Sequence, residues 1–459
     1  MTVNTESRSF GPRQRFVGYP PNLLIAGLAP ILFLLSSSVS MADGLWEIYV
    51  LAMENDAEYR GAVAANRASQ ELAPQARASL LPNIKLSVSA AKKDEESRRG
   101  IMRRRGRYFF TEKGFDLTIT QPIYHKESWV QLDKAKMGMK QADFTLALAR
   151  QKLIIRMAKR YFDVLRAMDG VVFAQAEEKA AKTQLRQARQ RFDVGLIAIT
   201  DVQEARAGSD IAVARSVDAK IELDNANEAL REVTGEYPVS LDTLGKEMQL
   251  VFPEPNDVAR WMEVALEGNL ELAVSGQAEK VAMAEIQRIK AKHLPRLDLV
   301  GAHNRASTGG GQYGHIDTRI SSVMLQLNLP IYEGGLVVSQ SREAMHRHRQ
   351  AVEDLVRVRR GVERKTRDAF LGVVSGVSRV KALRQALQST EIALDATRKG
   401  FQVGMRTSLD VLNFQRDMFR AKRDYASARY DYLLDMLHLK QAAGTLSEKD
   451  VAAVDAWLE

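Results

Sequence analysis

The sequence predicts a mostly helical α+β chain built from two copies of one unit, each joining short membrane-length strands to a very long helical hairpin. Three observations carry this. The stretch "RFDVGLIAITDV" at Arg191–Val202 returns as "GFQVGMRTSLDV" at Gly400–Val411, with Phe, Val-Gly and Asp-Val at the same offsets. No proline occurs between Pro122 and Pro238 or after Pro330, and proline in a helix interior costs about 3 kcal/mol. Several short segments alternate apolar and polar residues with period two.

The N-terminal residues come first. Arg8, Arg13 and Arg15 precede "LLIAGLAPILFLLSSSVSMA", an apolar core broken only by Pro30 and closed by Ser40, Met41 and Ala42. This is the pattern of a secretory signal, so residues 1–42 are expected to be removed and the mature chain to work outside the cytoplasm. The alternative, a single membrane anchor, has a stretch that is short for a spanning helix. With 45% hydrophobic and 27% charged residues, the chain is too polar for a bundle of membrane helices and too apolar for disorder. The net charge of +9 comes from Lys and Arg that alternate with Asp and Glu, which reads as solvated helix faces. The absence of cysteine excludes disulfides, a thiol nucleophile, thiolate metal sites and a lipid-anchor thiol.

The two units align in order. "LAMENDAEYRGA" answers "VALEGNLELAVS", "ASLLPNIKLSV" at Pro82 answers "AKHLPRLDLV" at Pro295, and "LTITQPIY" at Pro122 answers "LQLNLPIY" at Pro330. The first repeat is expected over 43–245, with strands at about 84–91 and 113–121 and a hairpin tip at 194–201. An equatorial linker follows at 246–256. The second repeat spans 257–445, with strands at about 295–302 and 320–329 and a tip at 403–410; 446–459 is a tail. In the strands Ile84, Leu86 and Val88 alternate with Lys85, Ser87 and Ser89, and Leu325, Leu327 and Leu329 with Gln326 and Asn328. The length suits a tilted bilayer crossing, though a half-buried soluble sheet has the same alternation.

The helices are too long for a compact domain. One is expected from Glu127 to about Phe192 and its counterpart from about Val338 to Phe401. In the second, Leu355, Val362, Ala369 and Leu383 share one heptad register, interrupted at Gly376, and Val352, Val373, Val380 and Leu387 another, interrupted at Arg359 and Thr366, as in an imperfect coiled-coil seam. A shorter helix returns after each glycine turn, so the repeated motif is the far tip of a hairpin. Four short strands cannot close a barrel, and lipid tolerates no open edge. Membrane insertion therefore requires strands pooled from two, three or four chains.

These features resemble the TolC family of outer-membrane exit ducts. The likeness is densest over Ala393–Ser447, whose turn, "ARYDYL" helix and "GTL" close are family-like, and over "VGLIAITDVQEA" at Val194. The resemblance implies a homotrimer with a twelve-stranded barrel in the outer membrane of a Gram-negative bacterium and a helical tunnel through the periplasm. It implies two partners, a periplasmic adaptor protein and an inner-membrane transporter, in type I secretion or efflux. It also implies a constriction in which Asp410 forms a threefold ring and Arg406 ties the second hairpin to Thr200 and Asp201. This chain departs from the family at Asn413, where a second acid is usual, and at Phe401, where a tyrosine is usual. Val194, Gly195, Leu196, Val403, Gly404 and Met405 are the expected adaptor contacts.

From the residues alone, Thr200, Asp201, Ser408 and Asp410 are helix caps, and Gly195 and Gly404 supply positive φ. The basic segment Ala91–Glu112 has the charge to touch the phosphates of outer-membrane lipid, or to be a solvated loop. Its counterpart, "HNRASTGGGQYGHIDTR", lacks the Lys-Ser/Thr of a phosphate loop and reads as a flexible connection. His346 and His348 diverge on a helix and form no metal site. No catalytic nucleophile, metal cluster or cofactor motif is found, so no enzyme activity, no cofactor and no nucleic-acid partner are expected. The competing reading is a non-membrane coiled-coil scaffold.

Overall fold

The computed structural model describes residues 44–98, 105–245, 248–311 and 314–459. The expected signal segment, 1–42, lies outside the described residues, as does the middle of the basic segment, 99–104. The chain opens with three helices, α1 (Leu45–Asn55), α2 (Ala57–Gln70) and α3 (Leu72–Ala78), then strands β1 (Asn83–Arg98) and β2 (Arg105–Tyr124). A hairpin of α4 (Lys126–Asp193) and α5 (Ile199–Thr234) follows. The second half repeats the order: α6 (Val258–Gly268), α7 (Leu270–Lys290), β3 (Arg296–Gly309), β4 (His315–Asn328), α8 (Leu336–Gln402) and α9 (Ser408–Ala442). A last helix, α10, covers Glu448–Asp455. The duplication reaches the caps. Asp56 accepts the Tyr59 N–H at 2.6 Å to start α2, and Asn269 accepts the Leu272 N–H at 3.1 Å to start α7.

The strands form one antiparallel sheet in the order β1-β2-β3-β4, so β1 and β4 are free edges. They are longer than the sequence pattern indicated, at 16 and 20 residues in the first half and 14 in each strand of the second. The alternation of apolar residues ends where charges begin, but the hydrogen-bonded ladder continues to Arg98–Arg105 and Gly309–His315. Most of Ala91–Glu112 is therefore strand rather than loop, and the segment from His303 to Arg319 is strand except at its turn. Apolar residues of one face, among them Ile84, Leu86, Val88, Val323, Leu325 and Leu327, stand exposed on the sheet.

At 68 and 67 residues, α4 and α8 each extend about 100 Å at 1.5 Å per residue. No helix among the described residues is long and apolar enough to cross a membrane. The largest core lies midway along the hairpins. Leu153, Met157, Tyr161 and Phe162 of α4 meet Val373 and Val377 of α8, Tyr432 and Leu433 of α9, and Ile48 of α1. Two interruptions of the expected seam are part of this packing. Thr366 is fully buried with its hydroxyl donating to the Val362 carbonyl at 2.9 Å, and Gly376 leaves room for Tyr432, whose ring a Cβ would meet at 3.4 Å.

The C-terminal segment is structured rather than a loose tail. Val451 and Val454 of α10 enter the main core. Thr243 and Glu459 exchange backbone hydrogen bonds of 3.0 and 2.8 Å, which pins the linker. Near the sheet, Glu285 of α7 binds Arg288 and Lys134, and Glu127 binds Arg288 and Arg296. The Arg288 hydrogen bond leads in holding the Glu285 carboxyl down at about 2. This network ties the first repeat to the second.

Candidate functional site

Far from the sheet, each hairpin reverses through the same backbone turn. Gly195 and Gly404 adopt φ of 75° and 78°, a region that costs an L side chain about 1 kcal/mol or more. The Leu196 N–H donates to Arg191 O at 2.9 Å, and Met405 N–H to Gly400 O at 2.8 Å, closing a Schellman turn at both tips. The hydrophobic side chains of the turns, Val194, Leu196, Val403 and Met405, project into solvent.

The returning helices are capped differently. At the second tip Thr407 is the N-cap: its hydroxyl accepts the Asp410 N–H at 3.1 Å, while Asp410 accepts the Thr407 N–H at 2.9 Å and its hydroxyl at 3.0 Å. The backbone N–H of Thr407, then its hydroxyl, then the Arg406 charge hold the Asp410 carboxyl below the usual aspartate range. At the first tip the N-cap is Ala198, which has no oxygen to offer. Asp201 alone reaches back, to the Ala198 N–H at 3.3 Å. Thr200 and Ser408 are not caps, because the N-caps fall two positions earlier, at Ala198, and one position earlier, at Thr407. Ser408 is buried and accepts from Gln184 Nε2 of the other hairpin at 3.1 Å.

Two further contacts join the hairpins. Arg191, from the end of α4, lies over the Phe401 ring with 4.2 Å between guanidinium carbon and centroid. Phe401 is thereby buried, and a missing hydroxyl is not a missing contact. Higher up, buried Glu177 of α4 accepts from Arg215 of α5 at 2.7 Å and Arg423 of α9 at 3.4 Å. A groove of about 740 Å³ opens beside the Arg191–Phe401 contact, lined also by Gln187, Gln190, Arg398 and Val411. Asn413 lines a separate groove with Glu204, Arg215 and Arg416.

Within one chain Arg406 makes no hydrogen bond or ion pair to Thr200 or Asp201. It packs instead along its own turn, where a Cβ on Gly400 would meet its Cγ at 2.9 Å. Asp410 and Arg406 are thus close to each other, while Thr200 and Asp201 belong to the other tip. The links through Arg191, Gln184 and Glu177 went unnoticed in the sequence. A partial signal existed: Gln184 and Glu177 are polar residues seven apart on the face of α4 that also carries Ala174, Ala181 and Ala188.

A sheet with free edges and an exposed apolar face, joined to two hairpins of about 100 Å, defines a channel protomer of the outer membrane. The family profile described as "Outer membrane efflux protein" matches residues 48–236 and 261–445, one block in each repeat. The chain is 36% identical over 433 residues to outer membrane protein TolC of Vibrio cholerae, covering 92% of this chain and 95% of that one. It is 28% identical over 449 residues to the proteases secretion protein PrtF of Dickeya chrysanthemi, covering 95% of each. Among solved structures, the Campylobacter jejuni CmeC outer membrane channel superposes with a TM-score of 0.77 at 15% identity, covering 91% of this chain and 90% of that one. The chain belongs to the outer membrane efflux protein family, and it is a TolC-type exit duct that reaches from the outer membrane into the periplasm.

Proposed function

We propose that three copies of the chain form the duct, closing one twelve-stranded barrel, and that the hairpin tips form its periplasmic gate. The observation that carries this is the four-stranded sheet with β1 and β4 unpaired, since an open edge cannot stand in lipid. The duct is passive. It carries no enzymatic step and no cofactor or metal, and binds no nucleic acid; substrate choice rests with an inner-membrane transporter and its periplasmic adaptor. The exposed apolar tips at Val194, Leu196, Val403 and Met405, on turns shaped by Gly195 and Gly404, are the surface offered to that adaptor. Residues 1–42 direct secretion and are cleaved.

In a trimer Asp410 forms a ring that favours cations, and Asn413 one turn on makes it weaker than a double acid ring. Arg406 is exposed and makes no side-chain hydrogen bond or ion pair among the described residues, so it can reach Thr200 and Asp201 of a neighbouring copy. Bilayer recordings of purified protein test the reading. Wild type should give small cation-preferring currents that grow in Arg406→Ala. Unchanged currents would remove Arg406 from the gate, and no current from folded trimer would sink the duct itself.

A further inference from the structure

The sheet carries a second charge pattern that the duct does not use. Directly paired residues share a face, and that face recurs every second residue. One row across all four strands of the apolar face reads Val88, Phe115, Arg305, Arg319. The two rows beneath it are Leu86, Leu117, His303, Ser321 and Ile84, Ile119, Gly301, Val323. Above it come Ala90, Lys113, Ser307, Asp317 across all four strands, then the pairs Lys92–Thr111 and Gly309–His315. Lys92, Lys113, Arg305 and Arg319 therefore gather in three successive rows where the apolar band ends. The corresponding rows of the opposite face hold Asp116 and Glu112 and no Lys or Arg. At this height the apolar face carries four cations against one acid, Asp317, while the opposite face carries two acids, with Lys85 and Lys93 in the rows just outside.

Arg305 sits directly opposite Arg319, an arrangement that like charges make unfavourable. Neither makes a hydrogen bond or ion pair with another described residue, and both are exposed. The acid nearest in register, Asp317, is hydrogen-bonded to Ser307 and His315 and meets the Arg305 charge only at longer range, which leaves one acid among four cations. Height agrees as well. The roughly ten residues from Leu329 to Arg319, at about 3.3 Å each and tilted about 40°, climb about 25 Å, the height of the lipid-facing band of a membrane barrel. Phe115 and His303, with ring centroids 6.4 Å apart, mark the aromatic level at that boundary.

We propose that Arg305, Arg319 and Lys113 form a site on the outer wall of the barrel for the phosphate groups of a phosphorylated glycolipid in the outer leaflet. A phosphate between the two guanidinium groups turns their repulsion into paired charge-assisted hydrogen bonds. The same lipid's acyl chains would lie against Phe115, Val88 and Leu117. A free anion would gain nothing from that apolar wall, which commits the site to lipid. This rests on the membrane placement of the apolar face argued above, and the test separates the two.

Full-length trimer in phosphatidylcholine vesicles is doped with bisphosphorylated lipid A or with the same lipid after removal of both phosphates. Lipid retained on the protein is then counted by native mass spectrometry. Wild type should retain the phosphorylated form at least about tenfold over the dephosphorylated one, each cation near the surface being a factor of about five. Arg305→Gln/Arg319→Gln should lose about 25-fold on that basis, whereas Lys85→Gln on the other face should lose none. The site is overturned if wild type shows no preference for phosphate, if Lys85→Gln loses as much as the double variant, or if millimolar inorganic phosphate strips the lipid. The comparison of lipids uses wild type alone and stands even if the double variant does not assemble. Conductance of the same vesicles reports on the duct, so a conducting trimer without phosphate preference overturns the site and leaves the duct standing.

Discussion

The two hairpin tips share a backbone and differ in almost everything that holds it. Both close through a Schellman turn on a positive-φ glycine, Gly195 or Gly404. Around that frame, Phe192 is 39% exposed, whereas its counterpart Phe401 is 9% exposed beneath Arg191. Ala198 caps nothing where Thr407 exchanges hydrogen bonds with Asp410. Ile197 stands where the second tip has Arg406, and Arg191 where it has Gly400. The residues that recur are those the turn requires. Of the groups that fasten the second tip, Phe401 and Asp410 recur as Phe192 and Asp201, while their partners, Arg191 over the ring and Thr407 at the cap, have no equivalent at the other tip. Duplication supplied the shape twice, and divergence gave the second tip ring and cap contacts where the first has Ile197 packed against Ala188, Val202 and Ala205.

The strongest way to break this comparison is to truncate the two phenylalanines. Phe401→Ala removes a buried ring and should cost about 3 kcal/mol, at the low end for such losses. Phe192→Ala, at a partly exposed site, should stay within about 0.5 kcal/mol. Hydrogen exchange of the tip amides in intact trimer reads both; equal effects would mean the tips are held alike. Next in size is the cap. Thr407→Ala should destabilise the start of α9 by about 1 kcal/mol, and Ala198→Thr should stabilise the start of α5 by up to as much. If Ala198→Thr slows exchange no more than a surface substitution, the missing oxygen is not what sets the first tip apart. Smaller again is the ring contact. Arg191→Gln should cost about 0.5–1 kcal/mol, and Arg191→Lys should recover part of it, since the ring attracts either cation.

Much of the fold was legible because it rests on local rules repeated twice. Period-two alternation, long proline-free stretches and paired glycine turns each report on backbone conformation, which neighbouring residues determine. The strand ends were missed because above Val88 and Phe115 the ladder continues without an apolar face to betray it. The order within the linker, and α10 itself, were not readable for a different reason. Their order comes from distant partners, such as Tyr432, whose hydroxyl donates to Val251 O at 2.8 Å and accepts from Val251 N–H at 3.0 Å. At the tips, the glycines were readable directly and the helix starts to within two residues. The Arg191–Phe401 and Gln184–Ser408 contacts were not, because each pairs residues more than two hundred positions apart with no spacing rule to connect them.

The smallest expected effect is also the one that sets cap against ring. In a single chain, Thr407 and Arg406 lower the Asp410 pKa from the ordinary 3.8. A group depressed in the folded state stabilises it above its unfolded pKa, and that contribution is lost as pH falls through the lower folded value. Tip opening, read as current flicker or as cleavage at Val403–Arg406 by an acid-active protease, should therefore begin only below pH 3.8 in wild type. Asp410→Asn should abolish the dependence, because the amide has no charge to lose. Three carboxylates facing one another around a threefold axis would act in the opposite sense, raising the pKa by mutual repulsion. If the ring outweighs the capping bonds, acidification should instead tighten the tip, and opening should appear as pH rises through a value above 3.8, with Asp410 leaning into the pore rather than back onto Thr407. The same titration repeated in Thr407→Ala removes the hydroxyl and leaves the backbone N–H. A small upward move there, from wherever wild type begins, would assign the difference to the cap.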